Sequence, residues 1–277
     1  MPDIFTQTIN NLSSMGVSSP RLETRMIFAF LLNQSQSEVG TNSILSVEQQ
    51  TLLSKILQRR QNREPLDKIL GYRDFYKHSF IVDNNVLSPR PDSEILVEEA
   101  IKLAAEEKAT SILEFGVGSG CLILSILSDC PQLKGYGIDK SEKALSIAQK
   151  NAECLNLLTR ITLKQGDYFS PLDINEKFSL IISNPPYISS GDIASLDSEV
   201  KNFDPLMALD GGADGLDHYR RLAVISKPLL RENGHILLEI GQGQEDDVCN
   251  IFAAKGFTTQ KIVCDLSGIQ RCIIFKK

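Results

Sequence analysis

The chain has 277 residues, 42% of them apolar and 23% charged, with a formal net charge of −6. These values suit one large or two modest globular domains. They count against a naked nucleic-acid substrate, because binders of that kind carry a basic domain or stripe and here Lys and Arg are scattered apart from Arg59, Arg60 and Arg63. The six cysteines make no CxxC pair and no His-associated zinc spacing, so no metal site is expected. With no secretory signal at the N-terminus, they read as reduced thiols of a cytoplasmic protein, mostly in the core. No apolar run approaches the length of a membrane span.

Residues 1–73 read as a small helical bundle. Ile4, Phe5, Ile9 and Leu12 share one helical face. Ser18-Ser19-Pro20 starts a second helix, whose apolar stripe is Leu22, Met26, Ile27, Phe30 and Leu31. Ser46 and Gln49 form a capping box for a third helix carrying Leu52, Leu53, Ile56 and Leu57. Arg63-Glu64-Pro65-Leu66 breaks it, and a short helical turn ends at Gly71. This region carries no catalytic cluster, so its expected job is to dock a substrate.

Residues 74–88 change to a strand-like period and predict a β-hairpin linker between two domains. Ser88-Pro89-Arg90-Pro91-Asp92-Ser93-Glu94 follows, where Asp92 or Ser93 can cap a helix over Glu94–Glu107. Arg90, locked between two prolines, is a candidate to line an active site.

Residues 89–277 form the second domain, in which strands and helices alternate from residue 110 onward. Strands are predicted over Ser111–Phe115, Lys134–Asp139, Arg160–Lys164, Phe178–Ser183, His235–Ile240, Thr258–Asp265 and Arg271–Phe275. Helices fill 119–128, 141–155, 215–231 and 243–255. The pattern predicts a doubly wound, mostly parallel seven-stranded sheet. The last two strands leave no room for a helix between them and should be antiparallel neighbours at one edge.

Two stretches carry chemistry. Glu114-Phe115-Gly116-Val117-Gly118-Ser119-Gly120 joins a strand to a helix through a glycine turn. Glycines let a ligand approach the backbone, and a helix N-terminus favours a carboxylate. Asp139 ends the next strand, about 20 residues further on, where an acid can accept hydrogen bonds from two ribose hydroxyls. The spacing is G-x-G-x-G, whereas a dinucleotide fingerprint reads G-x-G-x-x-G. The second stretch is Phe178–Tyr187, an apolar buried-strand run that stops at Asn184-Pro185-Pro186-Tyr187. Two prolines cannot continue a ladder, so Asn184 is held at the carboxyl end of a buried strand, where open α/β sheets bind ligands. The Asn184 oxygen and the Pro185 carbonyl can accept both hydrogens of a planar NH2 group, and Tyr187 can lie against its flat face. A capping Asn before a Pro-rich turn would look the same in isolation. The glycine loop upstream favours the chemical reading.

The segment Glu114–Gly120 resembles motif I of S-adenosyl-L-methionine (AdoMet)-dependent methyltransferases, with Asp139 as their ribose acid. Asn184-Pro185-Pro186-Tyr187 resembles the motif of the amino-methyltransferases. Together with Arg63-Glu64-Pro65, Ser88–Glu94, Asp204-Pro205-Leu206-Met207-Ala208-Leu209, Gly212–Leu216 and Asp265-Leu266-Ser267-Gly268 with Arg271, the chain resembles the HemK/PrmC family, the release factor glutamine methyltransferases, over nearly its whole length. It departs from that pattern at Glu114-Phe115, Val117 and Asp204, and in the segment Leu22–Leu32.

The resemblance implies a Rossmann-like AdoMet-dependent methyltransferase domain behind a helical-bundle domain. Its implied substrate is the glutamine of the Gly-Gly-Gln loop of class 1 peptide chain release factors, a protein partner, with no direct nucleic acid and no membrane. AdoMet would be held by Glu114, Gly116, Val117, Gly118, Ser119, Gly120, Asp139, Asp167, Tyr168 and Asn184. The acceptor amide would meet Asn184, Pro185, Pro186, Tyr187 and Arg90, with Asn184, Pro185 and Tyr187 catalytic. His78, His218 and His235 lie in no catalytic motif and read as structural or surface residues. The alternative is a DNA or RNA methyltransferase acting on an exocyclic amine of a flipped base.

Overall fold

The computed structural model describes residues 3–170, 174–265 and 267–277. Leu266, part of the C-terminal motif named above, lies outside them. The chain divides into two compact units, Met1–Gly71 and Tyr72–Lys277.

The first unit holds α1 (Ile4–Ser14), α2 (Pro20–Leu32), α3 (Val47–Gln61) and the short α4 (Leu66–Leu70), which stops at left-handed Gly71. The capping box forms in full: Gln49 N–H donates to Ser46 Oγ and Ser46 N–H to Gln49 Oε1. Helix α2 buries Thr24, Ile27, Phe28 and Leu31, so its inward face is turned from the expected one. Leu22 and Phe30 stand exposed, and Phe28 packs edge-on to Phe5 with ring centroids 4.9 Å apart. The run is apolar on more than one side, and only packing against α1 chooses between faces. Arg60 is buried against Glu23 at 2.9 Å, and Arg59 pairs with Glu64 at 2.5 Å.

The second unit opens with a hairpin, β1 (Tyr72–Phe75) and β2 (His78–Ile81). The hairpin belongs to this unit's core: Phe75 and Phe80 pack with the helices on one side of the main sheet. That sheet has seven strands: β3 (Ser111–Phe115), β4 (Lys134–Asp139), β5 (Ile161–Gln165), β6 (Phe178–Ser183), β7 (Leu230–Glu239), β8 (Thr258–Cys264) and β9 (Gln270–Lys276). Their order is β5-β4-β3-β6-β7-β9-β8, parallel except for β9, which runs antiparallel to both β7 and β8. Helix α5 (Glu94–Glu106) precedes the sheet, and the helices between its strands are α6 (Cys121–Asp129), α7 (Glu142–Cys154), α9 (Asp217–Leu229) and α10 (Glu245–Ala253), with a short α8 (Ser198–Phe203) before α9.

The pleat sorts the core into two layers. Ile112, Leu180, Ile182, Leu237, Cys272 and Ile274 face α5, α6 and α7. Their alternates Leu113, Phe115, Ile181, Ile236, Leu238, Ile273 and Phe275 face α9 and α10. This is period-2 packing on a sheet covered on both sides. Among the described residues no helix is long and apolar enough to cross a membrane.

Three further expectations need correction. Strand β7 starts at Leu230, because Phe178 pairs with Leu230 and Leu180 with His235. The intervening residues bulge out, with Asn233 at φ 60, and regular pairing begins at His235. Neither Asp92 nor Ser93 caps α5 through its side chain: Pro91–Ser93 is a turn of 3-10 helix running straight into it. The cysteines are not mostly core. Cys130 and Cys272 are buried, whereas Cys154, at the end of α7, and Cys264, on edge strand β8, are exposed.

Candidate active site

The carboxyl ends of β3, β4 and β6 open into a cavity of about 690 Å³ within the second unit. That volume is in the range of small-molecule sites. It is lined by Glu114, Gly116, Val117, Gly118 and Ser119 of the glycine loop, Asp139 after β4, Asp167 and Tyr168 after β5, and Asn184 and Pro186 after β6. Arg90, Ser93, Cys121, Phe169 and His218 line it too, as do residues 205–208 of the later loop. Gly120, Pro185 and Tyr187 are not in its wall.

The glycine loop is built for close approach. Gly116 and Gly118 take φ of 73 and 51, and a Cβ on either would point into open space. Positive φ strains any residue with a Cβ, so both positions want glycine. Gly120 is needed for a different reason. At φ 80 it turns the chain into α6, and a Cβ there would lie 2.9 Å from Leu124.

Asp139 organises this loop. Its Oδ2 accepts from Gly118 N–H at 2.8 Å and its Oδ1 from Ser141 N–H at 2.8 Å. Burial raises its carboxyl above the usual range, and these N–H donors offset only part of that rise. Each oxygen keeps a lone pair for a ligand. Glu114 is buried, accepts from Ile123 N–H at 3.2 Å, and is held well above the usual carboxylate range by that burial.

Behind the loop, Asn151 of α7 makes three hydrogen bonds. Its Nδ2 donates to Ser119 O at 2.8 Å and to Ile81 O at 3.1 Å, and its Oδ1 accepts from Ile81 N–H at 2.7 Å. Asn151→Ala would orphan the buried Ser119 carbonyl and the half-buried Ile81 backbone groups, so urea or thermal unfolding should report a loss of about 2–4 kcal/mol. A change inside about 0.5 kcal/mol would mean that water replaces the amide.

At the β5 end, Asp167 pairs with Lys140 at 3.0 Å and accepts from Phe169 N–H at 2.9 Å, which lowers its carboxyl. Tyr168 is buried and stacks on exposed Phe169 with centroids 5.4 Å apart. Its hydroxyl meets His218 Nδ1, and His218 Nε2 faces Asp210 O at 3.2 Å. A carbonyl only accepts, so Nε2 carries the proton and Nδ1 accepts from Tyr168. Burial lowers the imidazole pKa in keeping with that neutral form. His218 is therefore a cavity residue, contrary to its reading as structural or surface. The signal lay in its place right after the Asp214-Gly215-Leu216 segment.

At the β6 end, Asn184 Nδ2 donates to Ser93 Oγ at 3.3 Å. The Ser88–Glu94 segment comes in beside it through Asp204, which accepts from Arg90 Nη2 at 2.8 Å and from Ser88 N–H at 3.4 Å. Arg271 joins the same assembly, 3.4 Å from Asp92 and 3.2 Å from Asp265. Four motifs far apart in sequence thus share one rim. Tyr187 is partly buried and packs against the α9–α10 side of the core. Its Cδ2 would be 3.0 Å from a Cβ at Gly241, and its carbonyl accepts from Gln244 Nε2 at 3.0 Å.

A glycine loop, a carboxylate after the second strand and an Asn-Pro-Pro turn around one cavity define a methyltransferase. Residues 89–198 match the family model described as methyltransferase small domain, and residues 3–71 match the PrmC N-terminal domain. The release factor glutamine methyltransferase of Caulobacter vibrioides is 39% identical over 98% of this chain and 94% of its own. That of Rhodospirillum rubrum is 40% identical over 96% of this chain and 82% of its own. The chain belongs to the release factor glutamine methyltransferase family. The fold alone is shared with a ribosomal protein L11 methylase from Lactobacillus delbrueckii subsp. bulgaricus, with TM-score 0.52, 16% identity and coverage of 74% of this chain and 97% of that one.

Proposed function

We propose that this enzyme transfers the methyl group of S-adenosyl-L-methionine to the side-chain amide nitrogen of the glutamine in the Gly-Gly-Gln loop of class 1 peptide chain release factors, in the cytoplasm. The observation that carries the reading is the single cavity in which the glycine loop and Asp139 meet Asn184.

The residues fit that donor. The open faces of Gly116 and Gly118 leave room for it. The Asp139 carboxylate can accept from its ribose hydroxyls, and Asp167 with Tyr168 can meet its adenine. When bound, AdoMet supplies an electrophilic methyl group on a sulfonium. The chain's own residues do the rest. An amide nitrogen is a poor nucleophile because its lone pair is delocalised, so rate must come from orientation. The Asn184 oxygen accepts one amide hydrogen and favours positive character on nitrogen as it is alkylated, and an amide hydrogen then leaves as a proton to water. Pro185, next to Asn184 but outside the cavity wall, would offer its carbonyl to the other hydrogen only at the rim. Tyr187 is outside the cavity wall, and beside Asn184 that wall is formed by Pro186 and the loop at Pro205–Ala208. Exposed Leu206 and Met207 offer apolar surface there for the incoming peptide loop.

The test is label transfer from methyl-labelled AdoMet to a recombinant release factor, run beside a Gly-Gly-Ala version of the same factor. Label on the first and none on the second is the expected result. Label on neither, with label on bulk RNA or DNA, would replace this reading with an exocyclic-amine methyltransferase.

A further inference from the structure

Glu239 is buried at 3% exposure at the carboxyl end of β7, and the chemistry described above makes no use of it. Its place is set by strand register. Ile182 pairs with Leu237 and Ser183 with Leu238 on parallel β6 and β7. Two residues beyond Ile182 is Asn184, and two beyond Leu237 is Glu239, so the pleat aims both toward the α5–α6 side of the sheet. Ser93, at the start of α5, lies against both. It accepts from Asn184 Nδ2 at 3.3 Å, which leaves its own hydroxyl proton free to point at the carboxylate. The Asn184 amide and the Ser93 hydroxyl both neighbour the Glu239 carboxyl as hydrogen-bonding groups, while its Oε2 has no partner.

An Asn amide can face a ligand with its oxygen or with its NH2, and the two orientations are almost isosteric. Accepting the hydrogens of an acceptor amide requires the oxygen to face the cavity. Something behind Asn184 must therefore take its NH2. Resting on the amide-methylation reading above, we propose that Glu239, directly and through Ser93, is the positioning residue that holds the Asn184 NH2 away from the cavity and so presents its oxygen to the substrate amide.

The device depends on ionisation. Burial pushes the Glu239 carboxyl up to about 7. The groups facing it are Arg271 and Asp92 at the rim, Cys121 of α6, Cys272 of β9, Tyr187, and Tyr219 of α9. Arg271 favours the carboxylate and Asp92 opposes it. Above about 7 the carboxylate only accepts, and it orients Asn184 one way. Below that value a carboxyl O–H can donate to the Asn184 oxygen, and the amide loses its preferred orientation. Methyl transfer should therefore decline as pH falls through this range.

The test follows two signals in the full-length protein. The first is the Asn184 side-chain NH2 resonance pair of isotope-labelled protein, assigned by its loss in Asn184→Ala. In the wild type it should titrate with an apparent pKa of about 7, stay flat in Glu239→Gln, and shift in Ser93→Ala. The second is kcat/KM for a release factor across pH, which should fall about tenfold per pH unit on the acid side in the wild type. In Glu239→Gln this limb should vanish, with kcat/KM lowered about tenfold or more at about pH 8 and AdoMet affinity kept within a few-fold. A wild-type Asn184 resonance blind to pH, a limb that survives in Glu239→Gln, or AdoMet binding that falls as far as turnover would overturn the assignment. A titrating Asn184 amide in a wild-type enzyme that labels no release factor would support the positioning role and overturn the substrate reading alone.

Discussion

Asn184→Ala will reduce methyl transfer by about 10²–10³-fold or more while leaving AdoMet affinity within a few-fold of wild type. The loss is of the size seen when one preorganised polar group is removed from a developing charge. The separation of the two readouts follows from where the side chain sits. Asn184 is anchored by Ser93 at 3.3 Å, and its strand is locked between β3 and β7. The glycine loop is held independently, by Asp139 and Asn151. Truncating Asn184 therefore removes an acceptor for the substrate amide without disturbing the donor's cradle. Single-turnover label transfer beside calorimetric AdoMet titration makes the measurement. A parallel collapse of both would assign Asn184 a structural role.

Asp139→Ala should do the opposite. Its carboxylate is the ribose acceptor in this reading, and it also holds the backbone at Gly118 and Ser141, each at 2.8 Å. Loss of two hydrogen bonds to a charged group at about 1.5–3 kcal/mol each predicts an AdoMet Kd raised about 10²-fold or more. The chemical step at saturating AdoMet should stay within about tenfold, because Asn184 is untouched. An unchanged Kd would mean that Asp139 only shapes the loop. Asp139→Asn separates the two roles, since one amide oxygen can still accept from the loop but the charge is gone.

Most of the scaffold could be read before it was seen, for local reasons. Strands β3, β4 and β6 are bounded as predicted: β3 and β6 are mainly apolar runs stopped by Gly116 and by Asn184-Pro185, and β4 ends at Asp139. The Ser46–Gln49 box is legible because both partners lie within one helical turn. The antiparallel edge pair follows from a linker too short for a crossover. The glycine loop and the Asn-Pro-Pro turn were legible for the same reason: backbone restriction is a property of the residues themselves.

What the sequence alone determined was the family, the order of strands and helices, and the strand ends at which chemistry collects. Tertiary packing decided which side chains face that chemistry. Tyr187 reads as a cavity residue next to Asn184, yet it packs with the core beside Gly241 and Gln244. His218 reads as incidental, yet the helix it begins brings it to Tyr168 and the cavity. Glu239 sits in an apolar run where a carboxylate signals nothing, and only the register of β6 against β7 sets it beside Asn184. Periodicity along one segment says that a residue has an inside and an outside. Which neighbour waits on the inside depends on partners distant in the chain, and no local pattern encodes that.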